Sequence, residues 1–300
     1  MKADWIAVDW GTTNLRAYAM GPEGIRAEAT SDDGMGRLGP EGFEPALIRL
    51  IEPWLGPGVT SVLACGMVGS RQGWCEAPYR TTPCTPLDAG QMVDVPVRDR
   101  RLMVQIVPGL KQMKPADVMR GEETQISGAL ALDPAFDGAM CLPGTHSKWV
   151  QISAGEVVSF QTYLTGEMFS LLSTQSVLRH GMAATGWDED AFDQGVANGM
   201  ARPERLAAHL FRLRAEGLIA DLGPDAARAQ LSGLLIGAEL AAARPYWLGA
   251  RVALVGSAAL TALYARALAA MGAPTQSLAA KDCTIAGLAR AAGRLMKAAK

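Results

Sequence analysis

Short apolar runs separated by tight polar turns open the chain. The run at residues 5–9 ends in the acid Asp9, and two more short runs follow at residues 15–20 and 25–29. This pattern predicts three antiparallel strands in a meander. Further short apolar runs predict strands at residues 61–65, 102–107, 139–142, 148–152, 156–160, 251–255 and 276–278.

Apolar residues spaced three and four apart predict helices between these strands. The predicted helices cover residues 43–55, 122–132, 166–180, 188–200, 203–216, 225–242, 258–271 and 284–299. Residues 75–101 are rich in Pro and Thr and lack a sustained period, so we predict a long ordered loop there. The mixture of strands and helices indicates an α/β fold.

The chain contains a weak internal repeat. A shift of 133 positions places Gly11-Thr12-Thr13-Asn14 on Gly144-Thr145-His146-Ser147. Two identities in four residues carry little weight alone. The order of strand, Gly-Thr turn, strand, glycine turn and strand also recurs, however, and this favours a duplicated unit.

A Gly-Thr turn between two strands is suited to binding phosphate. Its backbone N–H groups are not screened by a Cβ atom, and the threonine hydroxyls add donors. Asp9 precedes the first turn, whereas Leu142 stands at the matching place of the second. One carboxylate beside two phosphate-binding turns is the arrangement that a magnesium nucleotide needs. Each turn alone could also be an ordinary hairpin corner.

Composition narrows the class of protein. The chain has 300 residues, 28 basic against 30 acidic, a net charge of −2 and 49% hydrophobic residues. The chain is therefore long and apolar enough to bury a large core, and a basic nucleic-acid surface is not expected. No run of 18 apolar residues occurs, so we expect no membrane span. The start of the chain lacks a signal-peptide pattern, and the cytoplasm is the expected compartment.

Other common motifs fail on their context. Five widely spaced cysteines make disulfides and structural zinc improbable. The residues at 34–39 match G-x-G-x-x-G, but polar residues precede them and Pro40 follows, so a Rossmann site is not expected. Residues 144–148 have the wrong spacing for a P-loop.

Several strings resemble the 2-dehydro-3-deoxygalactonokinase family, within the superfamily of sugar kinases, heat-shock chaperones and actin. They lie at residues 8–17, 66–74, 119–125, 142–149 and 163–167. The resemblance implies two ribonuclease H-like domains, each a mixed sheet with flanking helices, around a central nucleotide cleft. The expected domains are residues 1–137 and 138–300, and the closing helix at 284–300 could pack back on the first.

The resemblance also implies an ATP site. It corresponds to the phosphate-1, phosphate-2 and adenosine motifs of the superfamily, with Asp9 holding Mg²⁺. The implied ATP-binding residues are Gly11, Thr12, Thr13, Arg16, Gly144, Thr145, His146, Ser147, Gly256 and Ser257.

A sugar kinase needs a carboxylate that accepts the proton of the attacked hydroxyl. In this superfamily the base is an Asp at a helix start, and Glu123-Thr124 resembles that arrangement. Glu123 is therefore the first candidate, Glu122 the second and Asp117 the third. The alternative is that both glutamates only complement the helix dipole.

The substrate that the resemblance implies is a 2-keto-3-deoxy sugar acid. Arg71, in a glycine-rich loop, is the expected partner of its carboxylate. The expected contacts to its hydroxyls and chain are Gln72, Trp74, Tyr163, Thr165 and Glu167. The alternative for these residues is packing at the seam between the two domains, and for Trp74 it is packing in the core.

The expected activity is ATP-dependent phosphorylation of 2-dehydro-3-deoxy-D-galactonate at its 6-hydroxyl, in galactonate catabolism. A kinase for another sugar or sugar acid is the first alternative, and a chaperone- or actin-like ATPase switch is the second. The expected partners are ATP and the sugar acid, with no nucleic acid and no membrane; a homodimer is one option for the assembly.

Overall fold

The computed structural model describes the backbone of residues 2–298 and the side chains of residues 2–293. Two compact units divide the chain. Unit 1 comprises residues up to 136 together with residues 153–159 and the segment from 280 onward, and unit 2 comprises residues 137–152 and 160–279. These units differ from the predicted domains, residues 1–137 and 138–300, in the placement of residue 137, of residues 153–159 and of the segment from 280 onward, whose closing helix had the first domain as an option.

The N-terminal half of the chain is rich in strands. Its strands are β1 (Trp5–Trp10), β2 (Leu15–Gly21), β3 (Gly24–Ser31), β4 (Thr60–Gly66), β5 (Arg80–Thr81), β6 (Val93–Val95), β7 (Leu102–Ile106), β8 (Leu110–Met113) and β9 (Ala116–Met119). Its helices are α1 (Phe43–Ile51) and α2 (Glu122–Leu132).

The C-terminal half is mainly helical. Its strands are β10 (Gly138–Leu142), β11 (Ser147–Ser153), β12 (Glu156–Tyr163), β13 (Val252–Gly256) and β14 (Thr275–Ala279). Its helices are α3 (Thr165–Thr174), α4 (Glu189–Ala201), α5 (Leu206–Ile219), α6 (Pro224–Ala242), α7 (Arg244–Trp247), α8 (Ala258–Ala270) and α9 (Ala280–Ala298).

The two larger sheets repeat one strand order. The first runs β3-β2-β1-β4-β7-β6, and the second runs β12-β11-β10-β13-β14. In the first sheet β1 pairs antiparallel with β2 and parallel with β4. In the second sheet β10 pairs antiparallel with β11 and parallel with β13. A further parallel strand continues each sheet: β7 beside β4 in the first and β14 beside β13 in the second. The meander followed by parallel strands confirms the predicted pair of ribonuclease H-like folds.

Alternate residues of β1 serve two cores, as the period of a strand requires. Ile6 and Val8 belong to a buried cluster with Leu47 of α1, whereas Ala7 belongs to a second cluster with Leu288 of α9. The first sheet is therefore covered on both faces. Because both faces are covered, its central strands read as continuous apolar runs rather than alternating ones.

Glycines allow the closest helix contacts. A Cβ at Gly287 of α9 would lie 2.1 Å from Thr124 O of α2, and one at Gly237 of α6 would lie 2.3 Å from Val196 O of α4. Real Cβ atoms do not approach a backbone oxygen so closely. The backbones of α2 and α9, and of α4 and α6, therefore meet at distances that a larger side chain would prevent.

The predicted loop at residues 75–101 is wrong in part, because β6 lies within it and pairs antiparallel with β7. No strand of the small third sheet, β5-β8-β9, was predicted: β5 has only two residues, and β8 and β9 lie between predicted elements. Their sequences, LKQM and ADVM, are too polar and short to give an apolar run. The predicted helix at 43–55 ends at Ile51, where Pro53 and a 3₁₀ turn follow. Helix α9 starts at Ala280, four residues before its predicted start, and residues 299–300 lie outside the described residues.

Within residues 2–298, no helix is both long and apolar enough to cross a membrane.

Candidate functional site

The first Gly-Thr turn joins β1 to β2, and backbone hydrogen bonds hold it in place. The Gly11 N–H donates to Asn14 O at 3.0 Å, which closes the turn. The Met35 and Gly36 N–H groups donate to Gly11 O and Thr12 O at 3.0 and 2.9 Å. Thr12 and Thr13 remain exposed at the tip. The glycine-rich segment that mimicked a Rossmann motif thus braces this turn.

Asp9 lies at the end of β1, opposite Arg16 of β2. The two side chains form an ion pair of 3.2 Å between Arg16 Nη1 and Asp9 Oδ2. Burial raises the pKa of Asp9, and the guanidinium of Arg16 opposes that rise. About a quarter of the Asp9 side chain is exposed (26%), so the carboxylate is accessible from outside the sheet.

Two glycines bring helix α2 next to Asp9. Gly66 ends β4 with φ +93°, and a Cβ there would lie 2.7 Å from Trp10 O and 3.6 Å from Asp9 Oδ1. Gly121, which precedes α2 with φ +109°, packs against Gly66: a Cβ on it would be 3.4 Å from the Gly66 Cα. Side chains are absent at both positions, so the ends of β1 and β4 and the start of α2 converge.

The two glutamates at the start of α2 have different surroundings. Glu123 is fully buried and accepts from the Gly121 N–H at 2.7 Å and the Thr124 hydroxyl at 3.2 Å. Burial, with the neighbouring charge of Glu122, raises the pKa of Glu123 to about 8. Glu122 is partly exposed and accepts from the Arg120 N–H at 3.0 Å. Asp117, the third candidate, lies on β9 and accepts from the Val118 N–H.

The glycine-rich string after β4 places its predicted residues differently. Arg71 and Gln72 are exposed, and Arg71 Nε lies 3.6 Å from Glu76 Oε1. Trp74 stacks on Phe43 with ring centroids 6.3 Å apart and meets Trp10 edge-on at 6.0 Å. Trp74 thus packs against the core, the alternative noted from the sequence.

Arg120 and Ser70 carry donors to which sequence reasoning gave no role. Arg120 Nη2 donates to Ala77 O at 2.8 Å, and its guanidinium lies 4.3 Å from the Tyr79 ring centroid. Arg120 Nε and Nη1 and the Ser70 Oγ are buried and have no hydrogen-bond partner among the described residues. A Cβ on Gly69 would lie 2.8 Å from Arg120 Nη1, so the guanidinium sits against the glycine-rich string.

The second Gly-Thr turn joins β10 to β11 and contacts the start of α3. The Glu167 N–H donates to Thr145 O at 2.9 Å, and the Glu167 Oε2 lies 2.6 Å from the His146 Nε2. A Cβ on Gly166 would lie 2.2 Å from Gly144 O. Thr165 and Glu167, predicted to contact the sugar acid, are therefore brought together in unit 2 with residues predicted to bind ATP.

The remaining predicted residues of unit 2 are Gly256, Ser257, Ser147 and Tyr163. Gly256 ends β13, and the Ser257 Oγ accepts from the Leu260 N–H and caps α8. Ser147 is buried, with its hydroxyl 2.9 Å from the Tyr264 hydroxyl. Tyr163 is half-buried, and its hydroxyl has no partner among the described residues.

A pocket of about 180 Å³ in unit 2 adjoins the second turn. Gly144 and Thr165 line one side, Leu260 and Tyr264 of α8 another, and Trp187 and Arg228 add an aromatic ring and a cation. One pocket thus joins a residue of the second Gly-Thr turn to the helix that follows Gly256 and Ser257.

Comparisons with known proteins identify the family. Residues 9–291 match the family model described as 2-keto-3-deoxy-galactonokinase. The chain belongs to this family. The resemblance inferred from the sequence strings is therefore confirmed, and with it the expectation of a kinase, an enzyme class that uses ATP.

Relatives cover the chain almost completely. A probable 2-dehydro-3-deoxygalactonokinase of Rhizobium meliloti (strain 1021) is 38% identical, covering 96% of both chains. The 2-dehydro-3-deoxygalactonokinase of Escherichia coli (strain K12) is 36% identical, covering 96% of this chain and 97% of its own. A crystal structure of a putative 2-dehydro-3-deoxygalactonokinase from Sinorhizobium meliloti is 37% identical, with a TM-score of 0.91 over 97% of this chain and 99% of that one.

Proposed function

We propose that the protein transfers the γ-phosphoryl group of ATP to the 6-hydroxyl of 2-dehydro-3-deoxy-D-galactonate. The substrate is taken from the names of the two curated relatives, which are 2-dehydro-3-deoxygalactonokinases. The product, a 6-phosphate of a 2-keto-3-deoxy acid, is suited to aldol cleavage in galactonate breakdown. The observation that carries the proposal is the recurrence of one strand order around two Gly-Thr turns, with Asp9 at the first.

Each unit carries a turn with donors for nucleotide phosphates. The exposed Thr12 and Thr13 of the first turn and Gly144 to His146 of the second offer donors to phosphate oxygens. The apolar pocket beside Gly144 suits the adenosine, with the ring of Trp187 available for stacking.

Asp9 fits the magnesium ion that a kinase of this type uses. Mg²⁺ in nucleotide sites is bound by one or two carboxylates together with phosphate oxygens and water. Asp9 supplies one partly exposed carboxylate next to the first turn, and Arg16 helps to keep it ionised. When bound, the ion would neutralise charge on the phosphate oxygens.

We assign the role of general base to Glu122 in preference to Glu123. A base must reach the hydroxyl that it deprotonates, and Glu123 is fully buried with both carboxylate oxygens accepting hydrogen bonds. Its raised pKa also keeps it largely protonated at neutral pH. Glu122 is partly exposed at the same helix start. Glu123 then acts by holding the Gly121 N–H and the first turn of α2.

Two arginines are candidates to bind the carboxylate of the sugar acid. Arg71 is exposed and paired with Glu76 over 3.6 Å, a contact weak enough to be exchanged for a substrate. Arg120 carries two buried N–H groups without a partner among the described residues, and a carboxylate would satisfy them.

The proposal is tested by measuring ADP release with purified protein, MgATP and a substrate panel. The panel contains 2-dehydro-3-deoxy-D-galactonate, its gluconate epimer and D-galactose, and NMR of the product locates the phosphate. We expect the galactonate derivative to have the highest kcat/KM and to be phosphorylated at position 6. Preference for another panel member would overturn the substrate, and ATP hydrolysis without a phosphorylated product would favour an ATPase switch.

Variants in the same assay test the residue roles. Glu122→Gln should lower kcat by about 100-fold or more, the usual contribution of a general base, while Glu123→Gln retains most activity. Arg71→Ala and Arg120→Ala should each be compared on acid and neutral substrates. Loss of the arginine that binds the carboxylate should lower kcat/KM for the acid substrates only. An inactive Glu123→Gln beside an active Glu122→Gln would reverse the assignment of the base.

A further inference from the structure

Glu239 is a buried acid in an otherwise apolar stretch of α6. Its side chain is 3% exposed. Its carboxylate accepts hydrogen bonds from the Trp149 Nε1–H at 2.8 Å, from the Tyr264 hydroxyl at 2.7 Å and from the Thr165 hydroxyl. The donors come from β11, α8 and α3, so one carboxylate ties three elements to a fourth.

Burial of such a group is costly unless its oxygens are satisfied. Burial raises the pKa of Glu239, and the hydrogen bonds from Thr165, Tyr264, Trp149 and Ser147 oppose that rise. Packing alone would be achieved more cheaply by an apolar residue of similar size. The network therefore suggests a role in fixing geometry rather than in filling the core.

Hydrogen bonds connect the second Gly-Thr turn to this network. Ser147, the last residue of the turn, is hydrogen-bonded to Tyr264, which in turn donates to Glu239. Thr165, which also donates to Glu239, begins the helix whose next residues contact Gly144 O and Thr145 O. Both sides of the turn are thus fixed to one carboxylate.

We propose that Glu239 is a positioning residue for the nucleotide: its hydrogen bonds to Thr165, Tyr264 and Trp149 hold the Gly144–Ser147 turn in the shape that binds ATP phosphates. This inference rests on the proposed function, because it requires that the turn bind phosphate. Thr165 and Tyr264 also line the adjoining pocket, so the network fixes the wall of that pocket as well.

The test removes single donors and leaves the carboxylate in place. Thr165→Val and Tyr264→Phe each delete one hydroxyl, and Thr165→Ser restores the first. Thr284→Val is the matched control, since Thr284 is an equally buried threonine of α9 whose hydroxyl donates to Ala280 O. ATP affinity is measured by calorimetry, KM and kcat by the ADP assay, and folding by circular dichroism and thermal unfolding.

We expect Thr165→Val and Tyr264→Phe to weaken ATP binding and raise KM for ATP about tenfold, as loss of a hydrogen bond to a charged group does. KM for the sugar acid should stay within about twofold, and Thr165→Ser should recover most of the ATP affinity. Equal losses of thermal stability in Thr165→Val and Thr284→Val, with ATP affinity unchanged in both, would overturn the inference and leave the kinase activity standing. Weakened ATP affinity in a protein that phosphorylates no sugar acid would support the inference and overturn the proposed substrate.

Discussion

Neighbouring residues of identical chemistry can have different surroundings, and Glu122 and Glu123 are an example. Both stand in the first turn of α2, and sequence reasoning ranked Glu123 first because Thr124 follows it. Which side chain faces solvent depends on how α2 packs against α9, where Thr124 meets Gly287. Gly287 lies more than 160 positions after Thr124 in the chain. The sequence therefore located the pair and not the difference in burial between its members.

The raised pKa of Glu123 predicts a pH-dependent stability. An unfolded glutamate loses its proton near pH 4.5, whereas the folded protein keeps it up to about pH 8. Between these values the folded state binds more protons, so the free energy of unfolding falls as pH rises, by at most about 1.4 kcal/mol per pH unit from this group. Glu123→Gln is neutral in both states and removes this dependence.

Urea denaturation of the wild type and Glu123→Gln at pH 5, 6.5 and 8 measures this effect. The variant should gain on the wild type steadily from pH 5 to pH 8, by a few kcal/mol in total. Titrations of groups that do not interact with Glu123 cancel in the comparison. Parallel curves for the two proteins over this range would show that Glu123 is ionised in the fold.

At the scale of elements, local periodicity was sufficient for most strands and helices. Helix α2 has the predicted bounds, and the meander β1 to β3 is confirmed because its turns and apolar runs are local signals. Strands β5, β6, β8 and β9 were missed, since β5 has two residues and β6 three, and half or more of the residues of β8 and β9 are not buried. Their pairing depends on partners that no local pattern names.

Close packing of α4 on α6 was also beyond a local reading. Glycines at 195, 199, 233 and 237 would each put a Cβ 2.2 to 2.5 Å from a backbone oxygen of the facing helix. In the sequence these residues only weaken helix propensity. In the fold they permit the contact on which the core of unit 2 is built.

Gly237→Ala should therefore destabilise the protein even though alanine favours a helix by about 1 kcal/mol. The new Cβ would lie 2.3 Å from Val196 O, and separating the helices costs more than the propensity gains, typically 1–3 kcal/mol or above. The control is Gly293→Ala in α9, where nothing lies within 4 Å of the new Cβ. Thermal unfolding should show a lower Tm for the first and an equal or higher Tm for the second. A stabilised Gly237→Ala would contradict the close contact.

At the scale of the whole molecule, the weak repeat in the sequence corresponds to a repeat of strand order over five strands of each larger sheet. Two matched residues in the turns pointed to it, Gly11 with Gly144 and Thr12 with Thr145. The sequence analysis also gave the packing of the closing helix on the first domain as an option. Helix α9 follows unit 2 in sequence and yet packs in unit 1, where Leu288, Ala291 and Ala292 complete a core with Ala7 and Leu63.

This path predicts how the protein can be divided. A fragment of residues 1–136 lacks α9 and leaves one face of the first sheet uncovered, so it should not unfold cooperatively. The same fragment joined to residues 280–300 by a Gly/Ser linker of about 20 residues, which reaches about 25 Å, should recover a cooperative transition because the buried face of α9 is restored. Circular dichroism and urea titration of the two proteins, with residues 137–279 as a third, measure this. Cooperative unfolding of residues 1–136 alone would show that α9 is dispensable for the core of unit 1, whereas failure of the linked protein alone would show that a covering helix is insufficient.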